Sequence, residues 1–164
     1  DGEILVKGEN VMLGYWNKKA ETDKVLVDGW LYTGDIGKFV NGFLKITDRK
    51  KDILITPGGD NISPVKVETA LTNSNFIDQS LVYGDNRPYL VALLVLNPEL
   101  NINEKDLSDE IDKINKNLTK IEKIKKYFVI KEKFSIENGM LTPTLKLKRK
   151  KILENFKQDL EKLY

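Results

Sequence analysis

Asp48-Arg49-Lys50-Lys51-Asp52-Ile53-Leu54-Ile55-Thr56-Pro57-Gly58-Gly59-Asp60-Asn61-Ile62-Ser63-Pro64 is the stretch on which the reading of this chain turns. Its first five residues are all charged, which no core element tolerates. An apolar strand pattern ends just before them at Ile46 and another begins at Ile53, so the run reads as a solvated connector between two packed units, with Lys51 as the candidate hinge. Taken alone, such a charge run is more often a surface turn inside one domain. Beyond it, Ile53 to Thr56 reads as a strand and Pro57 to Asn61 as a loop whose paired glycines let backbone approach a ligand closely. Ser63 at a cap and Pro64 at the first position predict a helix over 64–72, with Val65, Val67 and Leu71 among its candidate buried residues.

Working outward, the downstream text alternates strands and helices. Ile77 to Tyr83 and Tyr89 to Leu96 are the two best strands, and the second is apolar throughout, which predicts a central strand covered on both faces. Leu107, Ile111, Ile114, Leu118 and Ile121 recur at helical spacing from Asn103 onward, with a break expected near Leu118-Thr119. Tyr127 to Lys131 reads as a short strand. A terminal helix from about Lys148 places Ile152, Phe156, Leu160 and Leu163 on one side. Upstream, Gly2 to Gly8 reads as a strand, Asn10 to Trp16 as a less regular extended piece, and Asn17 as the cap of a short helix to about Val25. Asp28-Gly29 is a turn before the strand Trp30-Leu31-Tyr32. Asp35 to Val40, Asn41-Gly42 and Phe43 to Thr47 predict a β-hairpin, because Asn-Gly suits the positive φ angles of a type I′ turn.

Composition removes several mechanisms. The chain of 164 residues has no cysteine and no histidine, which excludes a disulfide framework, a thiolate nucleophile, a Ser-His-Asp triad and a His-ligated zinc site. Any catalysis must use Lys, Arg, Asp or Glu. Twenty-seven basic against 25 acidic residues leave a net charge of +2, too small a bias to point to nucleic acid. The basic residues thicken at Lys146, Lys148, Arg149, Lys150 and Lys151, either a phosphate-facing cluster or the wet face of a helix. The longest apolar run, Leu90 to Leu96, falls far below the ~18 residues of a membrane span, so a soluble cytoplasmic protein is the default expectation. The chain opens without Met, in a strand-like phrase, and is expected to belong to something longer.

Four phrases carry chemistry. Gly2-Glu3-Ile4-Leu5-Val6-Lys7-Gly8 with Gly14-Tyr15-Trp16 leads to Trp30-Leu31-Tyr32-Thr33-Gly34-Asp35. By itself, Thr33-Gly34-Asp35 is an ordinary turn in which Asp bonds its own backbone. The third phrase is Asp48 to Asp52 followed by Gly-Gly-x-Asn-Ile-Ser-Pro and Glu68. The fourth is Leu141-Thr142-Pro143-Thr144-Leu145-Lys146-Leu147-Lys148-Arg149. A lone Lys in a Lys-rich tail is ordinarily surface decoration. In this order and at this spacing the four phrases resemble the motifs of adenylate-forming enzymes, specifically the long-chain acyl-CoA synthetases, over essentially the whole chain. Leu145 stands where many shorter-chain relatives carry Gly. It departs from the broader pattern and agrees with the long-chain branch.

The resemblance implies an α+β fold: a small mobile C-terminal domain with a central mixed or antiparallel sheet flanked by helices, preceded by the β-rich tail of a large N-terminal domain. It implies a division into residues 1–47, a hinge at 48–52 and a lid domain at 53–164. Asp35 would bind the ribose hydroxyls of ATP, since a carboxylate can accept two hydrogen bonds at once. Arg49 would contact ribose or phosphate, and Lys51 would be the hinge. Gly58 or Gly59 would line the pantetheine channel, the doubled glycine leaving the alignment open by one residue. Lys146 would be the adenylation lysine, offsetting the repulsion between a carboxylate and the α-phosphate. No metal ligand is expected in this stretch. The implied activity is an AMP-forming ligase for fatty acid and CoA, with ATP accompanied by Mg2+ and CoA as substrates and nothing tightly bound. The family's phosphate loop and fatty-acid tunnel lie upstream of the matching region, so the piece alone is expected to be inactive. Its implied partners are its own N-terminal domain and, peripherally, a membrane surface. Two rival readings stay open: a ligase for another carboxylic acid or a carrier protein, and a non-catalytic module that uses the basic tail.

Overall fold

The computed structural model describes Gly2 to Tyr164. The chain divides into two compact units, Asp1–Ile53 and Leu54–Tyr164.

The first unit is a sheet organised on one long strand. Strand β1 (Glu3–Val6) leads through irregular turns to helix α1 (Lys19–Val25), a short strand β2 (Leu26–Val27), the eleven-residue β3 (Trp30–Val40) and β4 (Phe43–Arg49). All three partners run antiparallel to β3. The β3–β4 hairpin forms as expected, with Asn41 and Gly42 at φ 51° and 82°. Asp28 and Gly29 make a second such turn, at φ 50° and 77°, and join β2 to β3. Three expectations need correction here. Residues 10–16 are turns and bends rather than an extended piece. Asn17 does not cap α1 but sits one residue earlier at φ 52°, the left-handed region that Asn tolerates better than most. Finally, Asp48 and Arg49 are no solvated connector. They continue β4, and Asp48 is only 7% exposed, leaving Lys50–Asp52 as a single 3-10 turn after the strand.

The second unit holds every buried hydrophobic side chain among the described residues. It starts with a two-strand ribbon, β5 (Leu54–Ile55) and β6 (Asn61–Ile62), shorter than the expected Ile53–Thr56 strand. Helix α2 (Pro64–Thr72) follows where Ser63-Pro64 predicts it, the Ser63 hydroxyl accepting the Lys66 N–H at 3.1 Å, a cap worth ~1 kcal/mol. The main sheet has the order β7 (Ile77–Tyr83), β8 (Leu90–Leu96), β9 (Ile124–Ile130). The first pair is antiparallel and the second parallel, so the sheet is mixed; the crossover from β8 to β9 carries α3 (Glu104–Asn115). The central β8 explains its unbroken apolar run. Leu90, Ala92 and Leu94 pack in a cluster with Val67, Leu71, Leu107 and Ile111, while Val91, Leu93 and Val95 pack in another with Phe134, Ile152 and Leu160. Successive side chains point to opposite faces, so α2 and α3 cover one side and α4 (Arg149–Glu161) the other. Each Val, Leu, Ile or Phe among them contributes ~1.5–3 kcal/mol of burial. Val65 is half exposed, not buried, because the helical period turns it away from Val67 and Leu71.

Candidate functional site

In the first unit the β3–β4 register sets Asp35 directly opposite Arg49. Asp35 Oδ1 accepts a hydrogen bond from Arg49 Nε at 2.7 Å, and the terminal nitrogens of the guanidinium fork make no hydrogen bond to the described residues. Thr33 fixes this strand end: its hydroxyl donates to the Ile4 carbonyl at 2.8 Å and accepts the Asp35 N–H at 3.1 Å. Gly34 N–H and Lys50 Nζ both donate to Glu3, at 3.0 and 2.9 Å. The Lys50 hydrogen bond holds the Glu3 carboxyl below its ordinary value. Asp48 Oδ1 accepts the Arg49 N–H at 2.8 Å, while its other oxygen is buried with no partner among the described residues. Lys51 stands exposed in the 3-10 turn, two residues before the boundary of the units. Asp35 and Arg49 are thus brought together, a pairing not legible in the sequence, where each was expected to contact ATP separately.

In the second unit the glycine turn is pinned at both ends. Thr56 N–H donates to the Asp60 carbonyl, Gly59 N–H to the Thr56 carbonyl, both at 2.9 Å, and Asp60 N–H to the Thr56 hydroxyl at 3.0 Å. The β7–β8 turn braces the ribbon from behind, Asp85 Oδ1 accepting the Ile55 N–H and Asn86 N–H donating to the Ile55 carbonyl. The two glycines differ. Gly59 has φ +88°, where an L side chain is strained, whereas a Cβ on Gly58 would meet only ordinary contacts of 3.5–3.6 Å.

Lys146 lies on a tight hairpin loop closed by a bridge between Leu141 and Leu147. Thr142 N–H donates to the Lys146 carbonyl at 2.8 Å, and Lys146 N–H returns to the Thr142 hydroxyl at 3.0 Å. Leu145 has φ +60°, a left-handed conformation that glycine adopts more readily than leucine, and the residue is 70% exposed. The Lys146 ammonium is exposed and makes no hydrogen bond or ion pair to the described residues. Leu145 and Leu147 wall an open groove of about 550 Å3 shared with Val65, Thr69 and Ile136 and with the charged Lys133 and Glu137.

Behind the hairpin is an ion pair that sequence reading missed. Arg149 Nη1 meets both Glu68 oxygens at 2.8 and 2.9 Å, its Nη2 donates to the Val82 carbonyl at 3.0 Å, and Glu68 also accepts the Val82 N–H at 2.7 Å. The two side chains are largely buried, and the pair ties α2, β7 and the start of α4 together. Elsewhere Lys66 and Thr119 bond Glu122; burial alone would raise this carboxyl, but those hydrogen bonds outweigh it and hold it below its ordinary value. At the end of the chain burial pushes the Tyr164 hydroxyl well above the usual phenol range, with its ring stacked on Tyr89. Among the described residues no group of three or more acidic side chains could hold a metal ion, so no residue here is assigned to Mg2+. No helix among them is long and apolar enough to cross a membrane.

Comparison with known proteins now bears on this geometry. The family model of the AMP-binding enzyme C-terminal domain matches residues 51–164. The chain belongs to that family. Over its whole length it is 37% identical to the long-chain-fatty-acid–CoA ligase FadD15 of Mycobacterium tuberculosis, of which it covers 31%. It is 39% identical to long-chain-fatty-acid–CoA ligase 5 of Rattus norvegicus, again over its whole length and covering 28% of that protein. Among solved structures, the adenylation domain of a carboxylate reductase from Mycobacterium chelonae superposes on 99% of the chain with a TM-score of 0.90 and 30% identity, the match covering 27% of that domain. The chain therefore spans less than a third of the length of the curated relatives it matches. The α+β architecture with a mixed sheet is that of an AMP-binding C-terminal domain.

Proposed function

We propose that the chain works as the C-terminal part of an AMP-forming ligase that joins a long-chain fatty acid to CoA. In this reading, a fatty-acid carboxylate attacks the α-phosphorus of ATP and displaces pyrophosphate, and CoA thiolate then displaces AMP from the acyl-adenylate. The observation that carries the reading is the Lys146 ammonium, without a partner among the described residues and presented on a hairpin held by its own backbone. Such a group can stabilise two anions as they meet, without any proton transfer. Asp35 would accept ribose hydroxyls, and the free fork of Arg49 would meet ribose or phosphate. Gly59, by its conformation, is the better of the two glycines for the pantetheine channel. Lys51 would be the hinge about which the second unit exchanges its lysine loop for its glycine turn.

The likeness to ligases for long-chain substrates favours that acid over others. ATP would arrive with Mg2+. The apolar face of the first unit, Phe39, Leu44 and Ile46, supports a division in which this sheet completes a larger domain built by residues outside the chain. We place the enzyme in the cytoplasm, peripheral at a membrane where its substrate partitions. The test is direct: the protein with its upstream domain should convert palmitate, ATP and CoA to palmitoyl-CoA, AMP and pyrophosphate, and the 164-residue chain alone should release no pyrophosphate. Turnover of only short or aromatic acids would remove the long-chain assignment; turnover by the chain alone would contradict the division of labour.

A further inference from the structure

The hairpin that carries Lys146 is closed by one residue to an unusual degree. Thr142 commits all three of its polar groups to residues 145 and 146. Its N–H donates to the Lys146 carbonyl at 2.8 Å, its carbonyl accepts the Leu145 N–H at 2.8 Å, and its hydroxyl accepts the Lys146 N–H at 3.0 Å. The hydroxyl also lies 3.0 Å from that of Thr144, and either can donate. Pro143 removes one backbone freedom at the first corner of this turn. Leu145, at φ +60°, then turns the chain back so that the Lys146 N–H faces Thr142. The left-handed conformation is unfavourable for a leucine and persists only because the surrounding bonds fix it.

The physical consequence concerns the ammonium at the far end of Lys146. A lysine carries ~2 kcal/mol of rotamer entropy, and no partner among the described residues restrains this head group. Its useful position therefore depends on the placement of Cα and the direction of Cβ, which the backbone around Lys146 sets. A charge held in advance of the reaction is worth far more than one that must be brought into place.

We propose that Thr142 is a positioning residue for adenylate formation, its hydroxyl fixing the backbone of Lys146 so that Cα and Cβ are set for the ammonium to reach the point where the carboxylate meets the α-phosphate. This rests on Lys146 being the adenylation lysine. Thr142 has no part in the second step, in which that loop is turned away.

The experiment uses the full-length protein and measures single-turnover adenylate formation from palmitate and ATP, and separately acyl transfer from preformed palmitoyl-adenylate to CoA. Thr142→Val keeps the branched shape and removes only the hydroxyl. It should slow adenylate formation about tenfold and leave acyl transfer within twofold of the parent. Thr142→Ser, which restores the hydroxyl, should recover most of the loss. Lys146→Ala is measured alongside. Adenylation unchanged in Thr142→Val but lost in Lys146→Ala would overturn the positioning role and leave the lysine assignment standing. Adenylation intact in Lys146→Ala would overturn the lysine assignment itself, and the role of Thr142 with it. Equal losses in both steps for Thr142→Val, or no recovery with Ser, would mean that the hydroxyl serves loop stability alone and would also overturn the proposal.

Discussion

The two units of this chain both build antiparallel hairpins from alternating text, and they end differently. In Leu54–Tyr164, every residue of β8 up to Val95 is buried, between clusters supplied by α2 and α3 on one face and α4 on the other. In Asp1–Ile53 no hydrophobic side chain among the described residues is fully buried, and Phe39 and Phe43 are 76% and 79% exposed. The one buried residue there is Asp48, an acid. A strand pattern thus specifies a sheet in both, but only where helices cover it does the sheet become a self-sufficient core. Among the described residues, the second unit has a buried apolar core of its own and the first does not.

The largest effect should come from separating them. Expressed alone, Leu54–Tyr164 should unfold in urea in one cooperative transition with native near-ultraviolet circular dichroism, whereas Asp1–Ile53 alone should show no transition. A cooperative transition in the first piece would break the contrast.

Ion pairs sharpen it. Glu68→Gln leaves the Arg149 guanidinium without its buried counter-charge and should destabilise the second unit by ~3 kcal/mol or more. Asp23→Asn removes an exposed pair with Lys19 in the first unit and should change the stability of the full-length protein by less than ~0.5 kcal/mol. Both are read from denaturation midpoints, and comparable shifts would mean that burial does not separate the two pairs.

A smaller effect resolves the doubled glycine. Gly59→Ala forces a Cβ into a left-handed residue and should cost ~1 kcal/mol and slow acyl transfer to CoA, while Gly58→Ala should stay within ~0.5 kcal/mol of the parent. A larger loss at Gly58 would move the pantetheine assignment to it.

How much of this was legible in the sequence depends on the range over which each signal acts. Ser63-Pro64 and Asn41-Gly42 set local backbone geometry, and the helix and hairpin they predict are both present. The apolar run of β8 was equally clear, because a strand covered on both faces has no polar positions. Asp48 misled because five adjacent charges read as solvated, and its burial depends on how β4 ends. Asn17 could serve as a cap or as a left-handed residue, and local text does not choose between them. The two-residue strands β2 and β6 carry too little pattern to detect. The roles proposed for Lys146, Asp35 and Arg49 rest on the words around them, not on their own chemistry. The Glu68–Arg149 pair joins residues 81 apart, and nothing local to either announces the other. Leu145 reads in the sequence only as a departure from glycine, and it has φ +60°, a region glycine enters without strain.

The central claim is that the second unit serves the two half-reactions with different faces, exchanged about Lys51. The measurement that tests it most directly times adenylate formation and acyl transfer separately in Lys146→Ala and Lys51→Pro of the full-length protein. Lys146→Ala should lose on the order of a hundredfold in adenylate formation and keep acyl transfer from preformed adenylate near the parent rate. Lys51→Pro, which fixes φ near −65° and restricts the residue before it, should form adenylate normally and fail to pass it to CoA. Equal losses in both steps for Lys146→Ala, or a normal second step in Lys51→Pro, would contradict the account.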